Sequence, residues 1–167
     1  MNKLNVFNQN WCPWRYPSNW IRNARIFCRQ FKWAYQRITK GFCDFDYWDF
    51  DVYLIRVMAG GLKKLADETH GFPGNEEFPT YTHWQQYLYK IVDLLELADN
   101  DELPNEYEEA WMRSFEEHNF DFNDRTPEHK EITDKYLAVE NQNSEKREAA
   151  LNEALDMIKH VFWHLWD

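Results

Sequence analysis

An acidic run holds four aspartates within eight residues: Asp44, Asp46, Asp49 and Asp51. Carboxylate oxygens are the ligands that hard divalent cations prefer, which makes Asp46, Asp49 and Asp51 candidates for a metal site. The run lacks the spacing and the glycine of an EF-hand loop, and bulky aromatic side chains separate its acids. Helix capping and ion pairs with Arg37 or Lys40 explain the same aspartates and are the favoured interpretation.

A second metal candidate is formed by His160 and His164, which are spaced i, i+4 near the end of the chain. This spacing puts two imidazoles on one helical face, where both can reach a zinc ion. The glutamate of a metalloprotease helix is missing between them, and their neighbours are apolar or aromatic. Two histidines at the rim of an aromatic cluster are the favoured interpretation.

A third group of carboxylates would lie on adjacent predicted helices: Asp93, Glu96, Asp99, Glu106 and Glu109. The arrangement is similar to that of all-α nucleotide pyrophosphohydrolases, which hold Mg²⁺ between helices. Acids at i, i+3 on a solvated helix face are also commonplace. A Mg²⁺-dependent nucleotide hydrolase is therefore an alternative, while the leading expectation is a protein with no catalytic residue and no cofactor.

Eight Lys and Arg residues precede the first acid, Asp44, although the whole chain carries a net charge of −10. Four of them recur along one side of the first predicted helix: Arg22, Arg25, Arg29 and Lys32. Such a row can follow a phosphate backbone, or pair with acids of the same chain. Arginine beside aromatic rings, here Trp20 and Trp33, is also the composition of protein-interface hot spots, and Trp48 is a further candidate for contact with a partner. The negative net charge favours the last two interpretations over nucleic acid.

The acidic part of the chain, 99–143 especially, offers a different surface. Carboxylates on rigid helices steer association with basic grooves, and can imitate nucleic acid there. The candidates for such contacts are Glu106, Glu108, Glu109 and Asp121.

The elements that must position these side chains are helices. Hydrophobic periodicity predicts an all-α fold of about six helices, which span 18–40, 50–69, 82–98, 105–117, 127–140 and 145–166. Ser18, Thr82, Thr126 and Ser144 are the expected N-caps, and Gly41 the expected C-terminal stop. Residues 1–17 are expected to form an irregular arm, followed by one compact domain over 18–167.

The first predicted helix carries apolar residues at 3-4-3-4-3 spacing: Ile21, Ala24, Cys28, Phe31, Tyr35 and Ile38. We call this set the apolar stripe, and the cations beside it, Arg22, Arg25, Arg29 and Lys32, the basic row. The spacing predicts that the apolar stripe packs into the core. Gly60 and Gly61 interrupt the second helix, which a close helix crossing would explain.

The composition favours a soluble intracellular protein. Aromatic residues make up 18% of the chain, three widely spaced cysteines show no zinc pattern, and Met1–Asn10 lacks the apolar core of a signal peptide. No apolar run reaches the roughly 18 residues of a membrane span, so no membrane partner is expected.

Several motifs resemble one family, small uncharacterised proteins of tailed bacteriophages. They are Trp48-Asp-Phe-Asp, then Gly61-Leu-x-x-Leu-Ala, then His70-Gly-Phe-Pro, preceded by the basic helix end at 33–41. The resemblance covers about 33–98 and the terminal Leu165-Trp166-Asp167, and departs from the family pattern at Phe50. It implies a viral origin, a helical fold and a location in the host cytoplasm, and it implies no activity.

Charge and resemblance together predict a non-enzymatic phage-encoded binding protein. The most specific version of this prediction is an inhibitor that acts through the acidic surface on a host defence enzyme or a nucleic-acid enzyme. Its partner would be a host or phage protein. The rivals are a phage nucleic-acid accessory protein that uses the basic helix 18–40, and the Mg²⁺-dependent hydrolase.

Overall fold

A computed structural model describes residues 20–117 and 126–166, without the side chains of Trp20 and Asn23. The fold is all-α, and the described residues contain no strand. The helices are α1 (Trp20–Lys40), α2 (Phe50–Glu68), α3 (Tyr81–Ala98), α4 (Glu108–Glu117) and α5 (Pro127–Val161), followed by a short 3₁₀ turn at Phe162–His164. The predicted irregular arm, Ser18 and Asp121 lie outside the described residues.

The chain divides into two compact units, an N-terminal unit (Met1–Gly60) and a C-terminal unit (Gly61–Asp167). The boundary falls inside α2, between its two glycines. Among the residues that the structure describes, a Cβ added at Gly60 or Gly61 would meet no atom within 4 Å, so the close helix crossing expected there is wrong. The single domain over 18–167 remains a prediction.

The core of the C-terminal unit is built where α3 packs against α5. One face of α3 is fully buried through Trp84, Leu88, Ile91 and Leu95, while α5 contributes the small side chain of Ala154. Small residues on one helix let the bulky face of the other approach closely, so the two surfaces interlock. These fully buried side chains are the main apolar stabilisation of this unit.

A smaller aromatic cluster joins α4 to α5. Trp111 stacks on Tyr136 with ring centroids 4.3 Å apart, and it meets the ring of Phe115 edge-on at 4.7 Å. Asn105 fixes the start of this segment, because its side-chain amide donates to the carbonyl of Tyr136 at 3.1 Å.

Two sequence predictions about helix ends are wrong. The helices expected over 127–140 and 145–166 are one continuous helix, so the described residues form five α-helices where about six were predicted. Ser144 therefore lies inside a helix. Next to it, buried Asn143 donates to the carbonyl of Pro104 at 3.3 Å and so ties this stretch of the helix to the segment before α4. The cap of α3 is Thr80, whose hydroxyl accepts from the His83 amide, and Thr82 lies within the helix.

Candidate interaction surface

The apolar stripe of α1 is exposed, which overturns the expectation that it forms core. The exposed fractions are 70% for Ile21, 52% for Phe31, 68% for Tyr35 and 75% for Ile38. The two small members, Ala24 and Cys28, are exposed as well. Sequence periodicity therefore identified the stripe as a pattern but assigned it to the core, whereas it lies on the surface of α1.

The residues that α1 buries lie on a different side of the helix. Gln30 and Ala34 are buried, and Ile26, Trp33 and Arg37 are partly buried. These positions recur at i, i+4, i+7, i+8 and i+11, which is one helical face of mixed polarity. An apolar stripe and a buried face are thus two separate surfaces of α1.

Contacts with the segment that follows α1 explain this orientation. Gly41 ends the helix at φ 84°, as predicted, and its amide donates to the carbonyl of Arg37 at 3.0 Å. The chain then folds back so that the Phe45 ring lies 5.3 Å from that of Trp33. Asp46 meets Arg37 at the same end. All of these anchors lie away from the apolar stripe, which is left facing outwards.

Asp46 is the centre of this anchor. Its carboxylate accepts from Arg37 Nε at 2.9 Å, from a second nitrogen of the same guanidinium, and from the amide of Cys43 at 2.8 Å. Burial raises the pKa of Asp46, but hydrogen bonds from Arg37 and Cys43 outweigh it and hold that pKa below its ordinary value. The hydrogen bond to Asp46 raises the pKa of Arg37 in turn.

A second aspartate joins the same segment to the basic row. Asp44 accepts from Lys32 Nζ at 2.7 Å and from the side-chain amide of Gln36 at 2.8 Å. These two hydrogen bonds lower the pKa of Asp44. Asp44 and Asp46 are therefore structural acids, and the predicted pairing of this acidic run with Arg37 is confirmed.

The basic row is exposed, as a partner surface requires. Arg22, Arg25, Arg29 and Lys32 all face solvent. Lys32 is paired with Asp44 at an exposed site, whereas no carboxylate among the described residues pairs with Arg25 or Arg29. The row runs along one edge of the apolar stripe.

Exposed aromatic rings continue into the segment between α1 and α2. Trp48, a predicted partner-binding residue, is 85% exposed. Phe50 is surrounded by the rings of Phe42, Tyr47 and Tyr53 at centroid distances of 6.1, 6.5 and 6.0 Å. The described part of the N-terminal unit thus carries many large apolar side chains on its surface and buries few.

The metal candidates are not brought together by the fold. Asp46 is engaged by Arg37, while Asp49 and Asp51 are exposed side chains beside it in sequence. His160 Nε2 lies 2.8 Å from a carboxylate oxygen of Glu77, and His164 lies in the 3₁₀ turn. Within 20–117 and 126–166, no three His, Cys, Asp or Glu residues are grouped as metal ligands. The same finding applies to the carboxylates considered for Mg²⁺.

The acidic candidates for partner binding are exposed at the start of α4. Glu106 precedes the helix, and Glu108 and Glu109 form its first turn, where negative charge also suits the helix dipole. These acids are accessible to a partner, but favourable interaction with the helix dipole already explains acidic residues at this position.

One serine–histidine pair was missed by sequence reasoning. Ser114 Oγ lies 2.8 Å from Nδ1 of His129, a distance typical of a nucleophile and its base. Their exposed fractions are 6% and 4%, and the Phe115 ring covers the imidazole edge-on at 4.8 Å. A substrate would have no access to this pair, so its role is to join α4 to α5. Because the two residues are 15 apart and on different helices, no sequence signal indicates their contact.

The C-terminal unit also contains a polar cavity of about 290 Å³, lined by residues that include Asp101, Glu140, Asn143 and Arg147. Arg147 Nε donates to the carbonyl of Ala98 at 3.0 Å, which caps the end of α3. Its lining carries both charges, and Glu140, Asn143 and Arg147 already make hydrogen bonds. The cavity therefore shows no preference for a particular ligand.

A comparison with protein-family models, curated proteins and solved structures finds no match for this chain. The bacteriophage resemblance accordingly stays a prediction. Among the described residues, no helix is both long and apolar enough to cross a membrane.

Proposed function

We propose that this protein is a non-enzymatic binding protein that docks on a partner protein through the apolar stripe and the basic row of α1. The exposure of the apolar stripe carries this proposal. Ile21, Tyr35 and Ile38 are each more than two-thirds exposed on one helical line. Contiguous apolar surface on a soluble protein marks interaction sites, and its removal from water contributes roughly 25 cal/mol per Å².

The bacteriophage resemblance makes a host or phage protein in the host cytoplasm the expected partner. Binding at α1 would use Arg22, Arg25, Arg29 and Lys32 for long-range attraction and the apolar stripe for contact area. Arginine and aromatic side chains dominate the binding energy of protein interfaces, which agrees with the composition of this surface.

A second candidate function is inhibition of a host defence or nucleic-acid enzyme through the acidic surface. The exposure of Glu106, Glu108 and Glu109 at one helix start favours it. Carboxylates there could enter a basic groove of the target. The two functions are compatible, since they use different surfaces of the molecule.

Site-directed photo-crosslinking tests the main proposal. A benzophenone amino acid replaces Tyr35, and the protein is produced in the cells in which it acts. We expect one cross-linked protein of defined mass, lost when Arg25→Glu and Arg29→Glu are combined, because attraction along the basic row becomes repulsion.

The matched control combines Lys63→Glu with Lys130→Glu, two exposed lysines of the C-terminal unit, and makes the same change in net charge. The control should retain the cross-linked protein. A different result would contradict the main proposal and support binding through the acidic surface. In that case the cross-linked protein is lost in a variant that combines Glu106→Gln, Glu108→Gln and Glu109→Gln, while the Arg25 and Arg29 changes have no effect. Cross-linked material that disappears on nuclease treatment would instead indicate the nucleic-acid accessory role, and would refute a protein partner.

A further inference from the structure

We infer that the partner element seated on α1 is an amphipathic α-helix that carries acidic side chains along one edge of its own apolar face. This inference deepens the proposed function and rests on it for the choice of surface. It goes further by naming the secondary structure and the charge pattern of the occupant.

The spacing of the apolar stripe favours a helix as the occupant. A 3-4-3-4-3 repeat has the average period of a coiled-coil seam, which stays on one line along the helix. From Ile21 to Ile38 this line is about 26 Å long at 1.5 Å per residue. A single straight element of similar length can follow it, and a helix of about 18 residues has that length.

The sizes of the side chains along the stripe support the same occupant. Ala24 and Cys28 are small and leave space for side chains of a partner, while Phe31, Tyr35 and Ile38 are large enough to pack between them. Knobs and holes of this kind accept the i, i+3 and i, i+4 ridges of a second helix. An extended peptide places alternate side chains on opposite faces, so it would bring only half of them to this line.

The basic row determines the charge of the occupant. Arg25 lies beside the stripe in the flanking heptad position, where coiled coils place the charges that select a partner. Lys32 occupies the same heptad position one repeat later and is paired with Asp44 at an exposed site. Arg22 and Arg29 lie one row further from the stripe. Acids spaced three and four residues apart on the partner would lie about 5–6 Å from one another and match this row.

The same charge pattern disfavours other occupants. A second copy bound through the same face would bring two basic rows together, because α1 contains no acidic residue to pair with them. Nucleic acid could pair with the row but would leave the aliphatic side chain of Ile38 without a contact. For an anionic membrane the cations would be expected on both edges of the stripe, whereas Phe27 and buried Ala34 lie along the other edge.

A pair of designed peptides tests the inference with the full-length protein. Both are fluorescein-labelled 21-residue helices with leucine at the two seam positions, and they differ only in having glutamate or lysine at all flanking positions. Fluorescence anisotropy should show the glutamate peptide binding about tenfold tighter or more, since several exposed ion pairs of ordinary strength together reach that factor. The ratio should shrink as the salt concentration rises.

Variants locate the binding. Arg25→Glu with Arg29→Glu should reverse the preference in favour of the lysine peptide, while Tyr35→Ser with Ile38→Ser should weaken both peptides. Lys63→Glu with Lys130→Glu should change neither. Equal binding of the two peptides, or binding of neither, would overturn the inference. Tighter binding of a single-stranded DNA 20-mer or of phosphatidylglycerol vesicles than of the glutamate peptide would overturn it as well.

The two proposals fail in distinguishable ways. A protein cross-linked at position 35 that the glutamate peptide does not displace would leave the proposed function intact and refute the helical acidic occupant. Charge-selective peptide binding without any cross-linked cellular protein would support the recognition chemistry and count against the proposed function.

Discussion

At the scale of single residues, Asp46 decides how the N-terminal unit is held together. Its side chain is 4% exposed and that of its partner Arg37 is 14% exposed. A charge at such a site is tolerated because three hydrogen bonds replace its hydration. This pairing was accessible from sequence, because only nine positions separate the two residues and a glycine stop lies between them.

We predict that Asp46→Asn destabilises the N-terminal unit by about 3 kcal/mol, because it leaves the Arg37 charge partly buried without a counter-charge. The measurement is hydrogen exchange of the amides in α1 and in the segment 41–49. Asp49→Asn, at an exposed position of the same acidic run, is the control and should change exchange little. Equal effects of the two substitutions would contradict the central role of Asp46.

The lowered pKa of Asp46 also predicts a pH dependence. Because its folded-state pKa lies below the unfolded value of about 3.9, its ionisation stabilises the fold fully above that unfolded value. The stabilisation is lost as the pH falls through the folded-state pKa. The protection factors of the α1 amides, which correct for the intrinsic pH dependence of exchange, should therefore fall in acid in the wild type, and this acid-dependent component should be missing in Asp46→Asn.

At the scale of elements, periodicity predicts where helices lie more reliably than where they end or which way they face. The predicted bounds of α2 and α3 differ from the structure by one residue at most. Capping is harder, since Thr80 and Thr82 are both suitable residues two positions apart. The continuity of α5 through 141–144 is also hard to predict, because polar Asn143 is buried by a contact with Pro104, which lies 39 residues away in sequence.

The cap assignment gives a test with a built-in control. Thr80→Ala removes the hydroxyl that accepts from the His83 amide, and should lower the free energy of unfolding by about 1 kcal/mol. Thr82→Ala changes an exposed side chain inside α3 and should have no such cost. Urea titration of both variants would measure the difference. A larger loss at Thr82 would restore the cap expected from sequence.

At the scale of the whole molecule, the sequence shows that positive charge is concentrated near the N-terminus, but not that this charge flanks an exposed apolar surface. The basic row and the apolar stripe belong to one helix, and periodicity alone cannot decide whether such a stripe meets this chain or another one. The anchor between Arg37 and Asp46 supplied the missing information, because it fixes which side of α1 turns inwards. The stripe is thus exposed because the pairing of Arg37 with Asp46 turns the opposite side of α1 inwards. The sequence indicates this pairing but not the side of the helix that it buries.

This view of the molecule predicts an unusual mutational response. Tyr35→Ser and Ile38→Ser should each change the free energy of unfolding by less than about 0.5 kcal/mol, because both side chains are already in water. Leu88→Ala, in the fully buried face of α3, should cost about 2–5 kcal/mol by the same urea titration. A cost of several kcal/mol at Tyr35 or Ile38 would mean that the stripe is core after all, and would remove the surface on which both proposals depend.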